Sequence, residues 1–595
     1  MYEGNATLGQ EAAYSLYEHR RETVAVYRVL AKAVDFDTFV RASLYMRNRL
    51  NPQLFVLAFY LAVIHRHDTR NLRLPPVYEL QPHLFYRTDL LQRANRLQLR
   101  AAENDDSNNN NNVLEYDQAR YRRSDDDKLN YLTEDVGWNE YYFYFRCQHP
   151  WLLTADDIGS YRYERRGEEY LYRHRHLLAR YNLERLANGL GPTESFDYDL
   201  EFGPGYQADM SYPNGLPFPA RPANIKFSRY QRDDIANTVR YEERLIDAID
   251  SGYANSRLYG RIDLNGAGGL NILGNMIEGN DDSVDRHYYG NVDASMRRVL
   301  GFNHNSYEER ESHEHPSALE HLPTSLRDPA FYRLYGRIIR LYHRYKENRG
   351  PYKPRDLHFP DLEIASVEVG ELRTYFDDFE TTISHGLVVA AAAPSNNVSE
   401  EEGRIKVRQR RLNHEPFGVN VTIRAKKYSR VVVKTFLGPM HDEHGVEMDL
   451  ATAAKHYYVE IDHYVGTVYK GQNRFYRGDF NNVVADSDST ESYYRKLELA
   501  DDYLYNLSHE ARISGFPARL LLPRGRASLG GRPMRLFVHV APLLDDEPLY
   551  RDSRVFGAGL YDARPAGYPL DRPVLQEDFR APNMRFVDVL VHHRE

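Results

Sequence analysis

The chain has 595 residues, a formal net charge of −9 and a pI near 6.3, which excludes the strongly basic surface that a nucleic-acid binder needs. At 42% hydrophobic and 27% charged residues it is long and apolar enough for several soluble globular domains. Its single cysteine, Cys147, excludes an internal disulfide and any two-cysteine metal motif, while leaving the redox compartment open.

Met1 to Asn5 lack the basic start and apolar run of a secretory leader, so the chain reads as intracellular or as the mature form of a secreted protein. Sequons at Asn5, Asn397, Asn420 and Asn506 favour the second reading and make these four residues candidate glycosylation sites. The most apolar segment, Leu54 to Ile64, falls short of the roughly 20 residues that a membrane helix requires. No membrane insertion is expected. The composition is also rich in tyrosine, with 48 Tyr against 25 Phe and 2 Trp. Each buried phenol needs a hydrogen-bond partner, so burial alone does not select Tyr over Phe. Two readings stand: tyrosine-rich packing surfaces, or tyrosine as cargo.

Residues 1–112 read as a helical first domain. Apolar residues recur at three- and four-residue spacing from Tyr27 to Leu44 and from Pro52 to His65, and Pro75-Pro76 blocks further helix. His65 and His67 stand two apart, on opposing helix faces, which favours structural roles over a shared metal. The polar run Asn104 to Asn112 has nothing to bury and reads as a linker. Ser124 to Asp127 is acidic but lacks the glycine turn and distal Glu of a calcium loop.

Residues 113–356 read as a second helical domain. Glycine-rich Asn265 to Gly269 fits neither a phosphate cradle nor a dinucleotide fingerprint and is expected to turn the chain. His313-Glu314-His315 lacks the second motif histidine of a zinc protease, and no nucleophile elbow is present. His174 and His176, two apart, cannot jointly face one metal from a helix. From residue 357 to 595 the pattern changes to period two. Val419, Val421 and Ile423 alternate with Asn420, Thr422 and Arg424, and Leu536, Val538 and Val540 with Phe537 and His539. Such runs between Gly, Pro and Asn clusters argue for an antiparallel sandwich, with Asn420, Thr422 and Arg424 on an exposed face. His441 and His444 read as loop residues.

Several motifs carry a family resemblance. EDVGWNEYYFYFRCQHPWLL, from Glu134, and ERRGEEYLYRHRHLLARYNLERLANGL, ending at Leu190, resemble the first copper-site helix pair of the arthropod hemocyanin superfamily. DRHYYGNVDASMRRVLG (Asp285–Gly301) and LRDPAFYRLYGRI (Leu326–Ile338) resemble the second pair. AVIHRHDT, LPPVYELQPHLF, LRTYFDDFE, RLNHEPF, FLGPMHDEHG and GFPARLLLPRG extend the likeness through all three domains, and GYPLDRP and PNMRFVDVLVHH are similar to the insect hexamerin branch of arylphorin type. In copper-binding members each pair supplies a His-x-x-x-His and a third His, because residues four apart share a helix face. The matching positions here are Tyr142, Arg146 and His174, then Asp293, Arg297 and Tyr335. Five of the six are no longer histidine. Asp293 and Arg297, four apart, are expected to pair within a polar network that fills the former metal pocket with help from Arg146, Tyr142 and Tyr335.

The resemblance implies a multidomain α+β chain: a helical N-terminal domain, a helical-bundle middle domain of hemocyanin type and an immunoglobulin-like antiparallel β-sandwich. It implies a secreted hemolymph storage protein, hexameric from identical or related chains, without cofactor or copper and without enzyme activity. Two alternatives are a carrier of small hydrophobic ligands or hormones, and a copper-dependent oxygen carrier or phenoloxidase. Nine Met exclude a methionine-rich reserve.

Overall fold

The computed structural model describes residues 17–595 apart from segments of which the longest are 302–314, 388–404, 487–515 and 545–561, with shorter ones including 104–111, 119–123, 159–164 and 479–484. Asn5, Asn397, Asn506, His67, His313 and nearly all of the Asn-rich run lie outside the described residues.

The first unit consists of α1 (Tyr17–Ala31), α2 (Phe36–Arg47), α3 (Pro52–His65) and α4 (Thr88–Glu103). Helix α2 starts where the Asp35 carboxylate accepts the Thr38 amide at 2.7 Å. Asn51 does the same for Gln53 at 3.0 Å, with Pro52 as the first helical residue of α3. Helix α3 is apolar on every side because it is central: the consecutive residues Tyr60, Leu61, Ala62, Val63 and Ile64 are all buried. It packs against α1 and against the first long helix of the middle unit. Among the described residues no helix is long and apolar enough to cross a membrane.

The middle unit is built on α5 (Val136–Gln148), α6 (Arg166–Ala187), α7 (Arg232–Ser251), α8 (Gly269–Glu278), α9 (Val292–Gly301) and α10 (Pro329–Asn348). Gly268 and Gly269 make the turn into α8. Gly268 has φ +82°, and a side chain on Gly269 would lie 1.8 Å from the Leu264 carbonyl oxygen. Helices α6 and α8 then cross at Gly167 and Gly274. A Cβ on Gly274 would stand 1.9 Å from the Gly167 carbonyl oxygen. Asp328 caps α10, accepting the Ala330 amide at 2.8 Å, with Pro329 following it.

The C-terminal unit is a two-sheet sandwich, as the alternation predicts. Its strands are β2 (Leu362–Val369), β3 (Leu372–Thr382), β4 (Lys406–His414), β5 (Gly418–Ala425), β6 (Ser429–Pro439), β7 (Val459–Val468), β8 (Gly471–Gly478), β9 (Arg532–Pro542) and β10 (Met584–His593). The larger sheet gains β1 (Val113–Tyr116) from the start of the middle segment and runs β1-β4-β3-β10-β9-β6-β7. The smaller runs β8-β5-β2. Most pairs are antiparallel, but β1–β4 and β3–β10 are parallel. The first of these junctions joins Val113 to Lys406 and covers what would otherwise be an open sheet edge.

Two strand readings change in the fold. Thr422 is buried although Arg424 on the same strand is exposed. Thr422 is short and sits between Ser366 and Arg474 on the flanking strands, whereas the longer Arg424, flanked by Glu363 and Gln472, extends its guanidinium to Glu363 at 2.9 Å in solvent. Asn420 is half-buried, and its side-chain amide donates to Glu368 at 3.2 Å. On β9 both faces are buried. Leu536, Val538 and Val540 enter the main core, while Phe537 packs with Phe436, Tyr568 and Phe579 in a second cluster that the chain's final segment lays over the sheet.

Three histidines, His65 and His83 half-buried and His176 buried, are held by bonds within or between these units. His65 of α3 bonds the Cys147 carbonyl oxygen at 3.1 Å, and His176 of α6 bonds that of Glu460 on β7 at 3.0 Å. His83 meets the Gln53 amide at 2.9 Å. Burial lowers each imidazole from 6.5 to about 4. In the unfolded chain each binds its proton near about pH 6.5, so acid favours the unfolded state. Stability is therefore expected to be complete above about pH 6.5 and to fall progressively as the pH drops towards about 4. Thermal midpoints measured across that interval check this. A flat profile would refute it.

Candidate functional site: a polar cluster among four helices

The six residues that the family resemblance matches to copper ligands are all buried, and α5, α6, α9 and α10 bring them together. Tyr142 and Arg146 come from α5, His174 from α6, Asp293 and Arg297 from α9, and Tyr335 from α10. The i,i+4 spacing of α9 brings Arg297 Nε to 2.6 Å from Asp293 Oδ1. The remaining Arg297 nitrogens reach Tyr142 at 2.7 Å, Tyr335 at 2.9 Å, the Leu319 carbonyl oxygen at 2.7 Å and Ser325 at 2.9 Å. These contacts use every N–H that a guanidinium possesses.

The network continues outward from that hub. The Tyr335 and Tyr170 hydroxyls donate to Asp293 Oδ2 at 2.8 and 3.0 Å. His174 Nδ1 lies 2.7 Å from the Tyr170 carbonyl oxygen, which requires the proton on that nitrogen. Its Nε2 is then left to accept from the Tyr142 hydroxyl at 3.1 Å. The imidazole also stacks on the Tyr335 ring, with centroids 3.9 Å apart and planes 9° from parallel.

Arg146 departs from the expected network. It pairs with Glu278 at the end of α8, at 2.8 Å, rather than with Asp293. Glu278 carries no motif, and Tyr170 precedes His174 by one helical turn without matching any metal position. Only the α6–α8 crossing at the two glycines shows that Glu278 belongs here. Within the pocket, two guanidiniums face two carboxylates, so its formal charge balances.

The electrostatics follow from burial and these neighbours. Burial would raise the Asp293 carboxyl, but Arg297 and then Arg146 outweigh it and hold it below the ordinary carboxylate range. Burial dominates at Glu278 and pushes its carboxyl upward against Arg146 and Arg166. It also drives His174 well below its usual value, reinforced by Arg146, so this imidazole is neutral.

The fold implies a copper pair, and these side chains do not fit one. Copper sites draw on imidazole and thiolate donors. Here the sole imidazole has its acceptor nitrogen engaged by Tyr142, and Arg146 and Arg297 cannot shed a proton to become ligands. Among the described residues no cluster of three or more His, Cys, Asp or Glu is arranged to hold a metal.

A helical unit, a helical bundle with a four-helix polar centre and a two-sheet sandwich together define a hemocyanin-type architecture. Family profiles match the whole arrangement: "Hemocyanin, all-alpha domain" over residues 1–71, "Hemocyanin, copper containing domain" over 76–342 and "Hemocyanin, ig-like domain" over 351–593. The chain belongs to the hemocyanin family, and within it to the hexamerins. It is 35% identical to Hexamerin 70b of Apis mellifera, over 97% of this chain and 84% of that protein. It is 33% identical to the arylphorin subunit alpha of Manduca sexta, over 96% of this chain and 80% of the relative. Among solved structures, a scorpion hemocyanin in its activated state aligns with a TM-score of 0.84 at 25% identity, covering 100% of this chain and 94% of that one. A crustacean hemolymph prophenoloxidase shares the fold, with a TM-score of 0.83 at 22% identity over 99% and 89% of the two chains.

Proposed function

We propose that this hexamerin is a secreted amino-acid reserve of the hemolymph, enriched in tyrosine and phenylalanine, assembled as a hexamer and free of copper and catalysis. One observation carries the reading: the helices whose motifs resemble the copper-site pairs enclose a charge-balanced network in which Arg297 and Asp293 bond each other and the surrounding phenols. Such a network stabilises a scaffold and offers no open coordination position. The 48 Tyr and 25 Phe fit a store of aromatic residues, and the relatives' names, hexamerin and arylphorin, agree with that role. Four sequons support secretion, of which Asn420 alone lies among the described residues.

Native mass spectrometry and metal analysis of one preparation test this together. The expected particle is a hexamer of 69.5 kDa chains whose copper stays far below stoichiometry after exposure to cuprous ion. A pair of copper ions per chain, or a new absorption band under oxygen, would end the copper-free reading. A persistent monomer would end the assembly reading.

A further inference from the structure

The phenols of the four-helix cluster are enclosed by protein, but two others meet each other in solvent. Tyr428, in the turn between β5 and β6, is 61% exposed, and Tyr469, in the turn between β7 and β8, is 63% exposed. Their ring centroids lie 5.6 Å apart, with planes tilted by 59°. The register of the larger sheet puts them there. Ser429 of β6 pairs with Val468 of β7, so the residues one step beyond leave the end of the ladder side by side. The backbone under the second ring is pinned: Asn473 Oδ1 accepts the Tyr469 amide at 2.9 Å, and Asn473 Nδ2 donates to the Tyr469 carbonyl oxygen at 2.8 Å.

Among the described residues, no other contact between two tyrosine rings has both phenols exposed. Tyr86–Tyr116, Tyr170–Tyr335 and Tyr181–Tyr332 are buried on both sides, and Tyr60, Tyr289 and Tyr568 are the buried members of the remaining pairs. Tyr259 and Tyr476 are exposed, but neither meets a second aromatic ring among the described residues. Exposed side chains reorient in picoseconds to nanoseconds. Rotation of the rings alone therefore brings their ortho carbons together, with no movement of the strands.

We propose that Tyr428 and Tyr469 form a site of oxidative coupling, joined as dityrosine by a haem peroxidase acting with hydrogen peroxide. Each phenol O–H gives up one electron and one proton, leaving a radical whose spin reaches the carbons ortho to the oxygen. The two radicals join through one ortho carbon of each ring, forming a carbon–carbon bond. The hydrogen on each of those carbons then moves to the ring oxygen and restores the phenol. The pair loses two electrons and two protons, which convert one hydrogen peroxide to two waters. The link closes a loop containing β6 and β7, and closing a loop removes conformations from the unfolded chain. The site uses exposed phenols only and is independent of the storage reading and of the four-helix cluster.

Peroxidase treatment of the full chain, kept dilute and followed by digestion and mass spectrometry, tests this. The expected product is a peptide joining Tyr428 to Tyr469, lighter by two hydrogen atoms than its separate parts, from protein that still runs as one chain on a denaturing gel. Tyr428→Phe and Tyr469→Phe should each abolish that peptide, because Phe has no O–H to surrender. Tyr476→Phe, at an exposed phenol without an aromatic neighbour, should leave its yield unchanged. Absence of the Tyr428–Tyr469 peptide in the parent would overturn the proposal. So would its formation only between chains, or an equal yield of dityrosine fluorescence from the parent and both pair variants.

Discussion

Replacing Asp293 with Ala is expected to destabilise the middle unit by about 3–5 kcal/mol, the cost of removing one partner from a buried ion pair. The variant leaves Arg297 charged, because a guanidinium cannot neutralise itself, and takes away its 2.6 Å contact. It also strands the Tyr335 and Tyr170 hydroxyls, which both donate to the Asp293 carboxylate. Replacing both members, as Asp293→Leu with Arg297→Met, removes the charges together. That double variant should be markedly more stable than Asp293→Ala, since an apolar pair of similar volume often equals a buried ion pair. Urea unfolding monitored at several probes distinguishes the outcomes in a multidomain chain. If Asp293→Ala proves as stable as the parent, the cluster is not holding the four helices together.

Gly274→Ala should be at least as disruptive, through sterics alone. The new methyl would lie 1.9 Å from the Gly167 carbonyl oxygen and 2.6 Å from its Cα, both backbone atoms that no rotamer change can move. Relief requires α6 and α8 to part, which carries His174 away from its partners and Glu278 away from Arg146. Overpacking in a core typically costs about 1–3 kcal/mol, and a backbone-on-backbone clash belongs at or beyond the top of that range. Gly336→Ala in α10 is the matched control. Its nearest neighbour is the Ser195 Cα at 3.9 Å, an ordinary contact. Helix propensity then favours Ala by about 0.5–1 kcal/mol. Thermal midpoints should separate the two substitutions in opposite directions. Equal midpoints would show that the glycine crossing tolerates a side chain.

Much of the site was legible because its pieces are local. A four-residue spacing places Asp293 and Arg297 on one face of α9 at any tertiary arrangement, and the same holds for Tyr142 and Arg146 on α5. The family motifs add which helices are expected to meet, so the lack of histidine at five of the six matched positions could be read from the sequence. The pairing of Arg146 was not legible. Both Asp293 and Glu278 are acidic residues in the middle unit, and only the distance across the α6–α8 crossing decides between them. The Asn420 strand shows the same limit. Period two separates the faces of a strand but does not say how deeply each residue is covered, and one face of β5 holds Thr422 buried and the longer Arg424 in solvent.

By itself, the sequence determined the three-part architecture, the start of a helix at Pro52, and the lack of histidine at five of the six positions that the resemblance matches to copper ligands. These depend on helical pitch, strand alternation and side-chain chemistry, all properties of neighbours along the chain. Tertiary structure alone decided that β1 closes the edge of a sheet whose partner strand begins at Lys406 and that Glu278 rather than Asp293 answers Arg146. Each of those contacts joins residues far apart in sequence. Their distances are set by how helices cross and sheets close, not by any spacing that a linear pattern records.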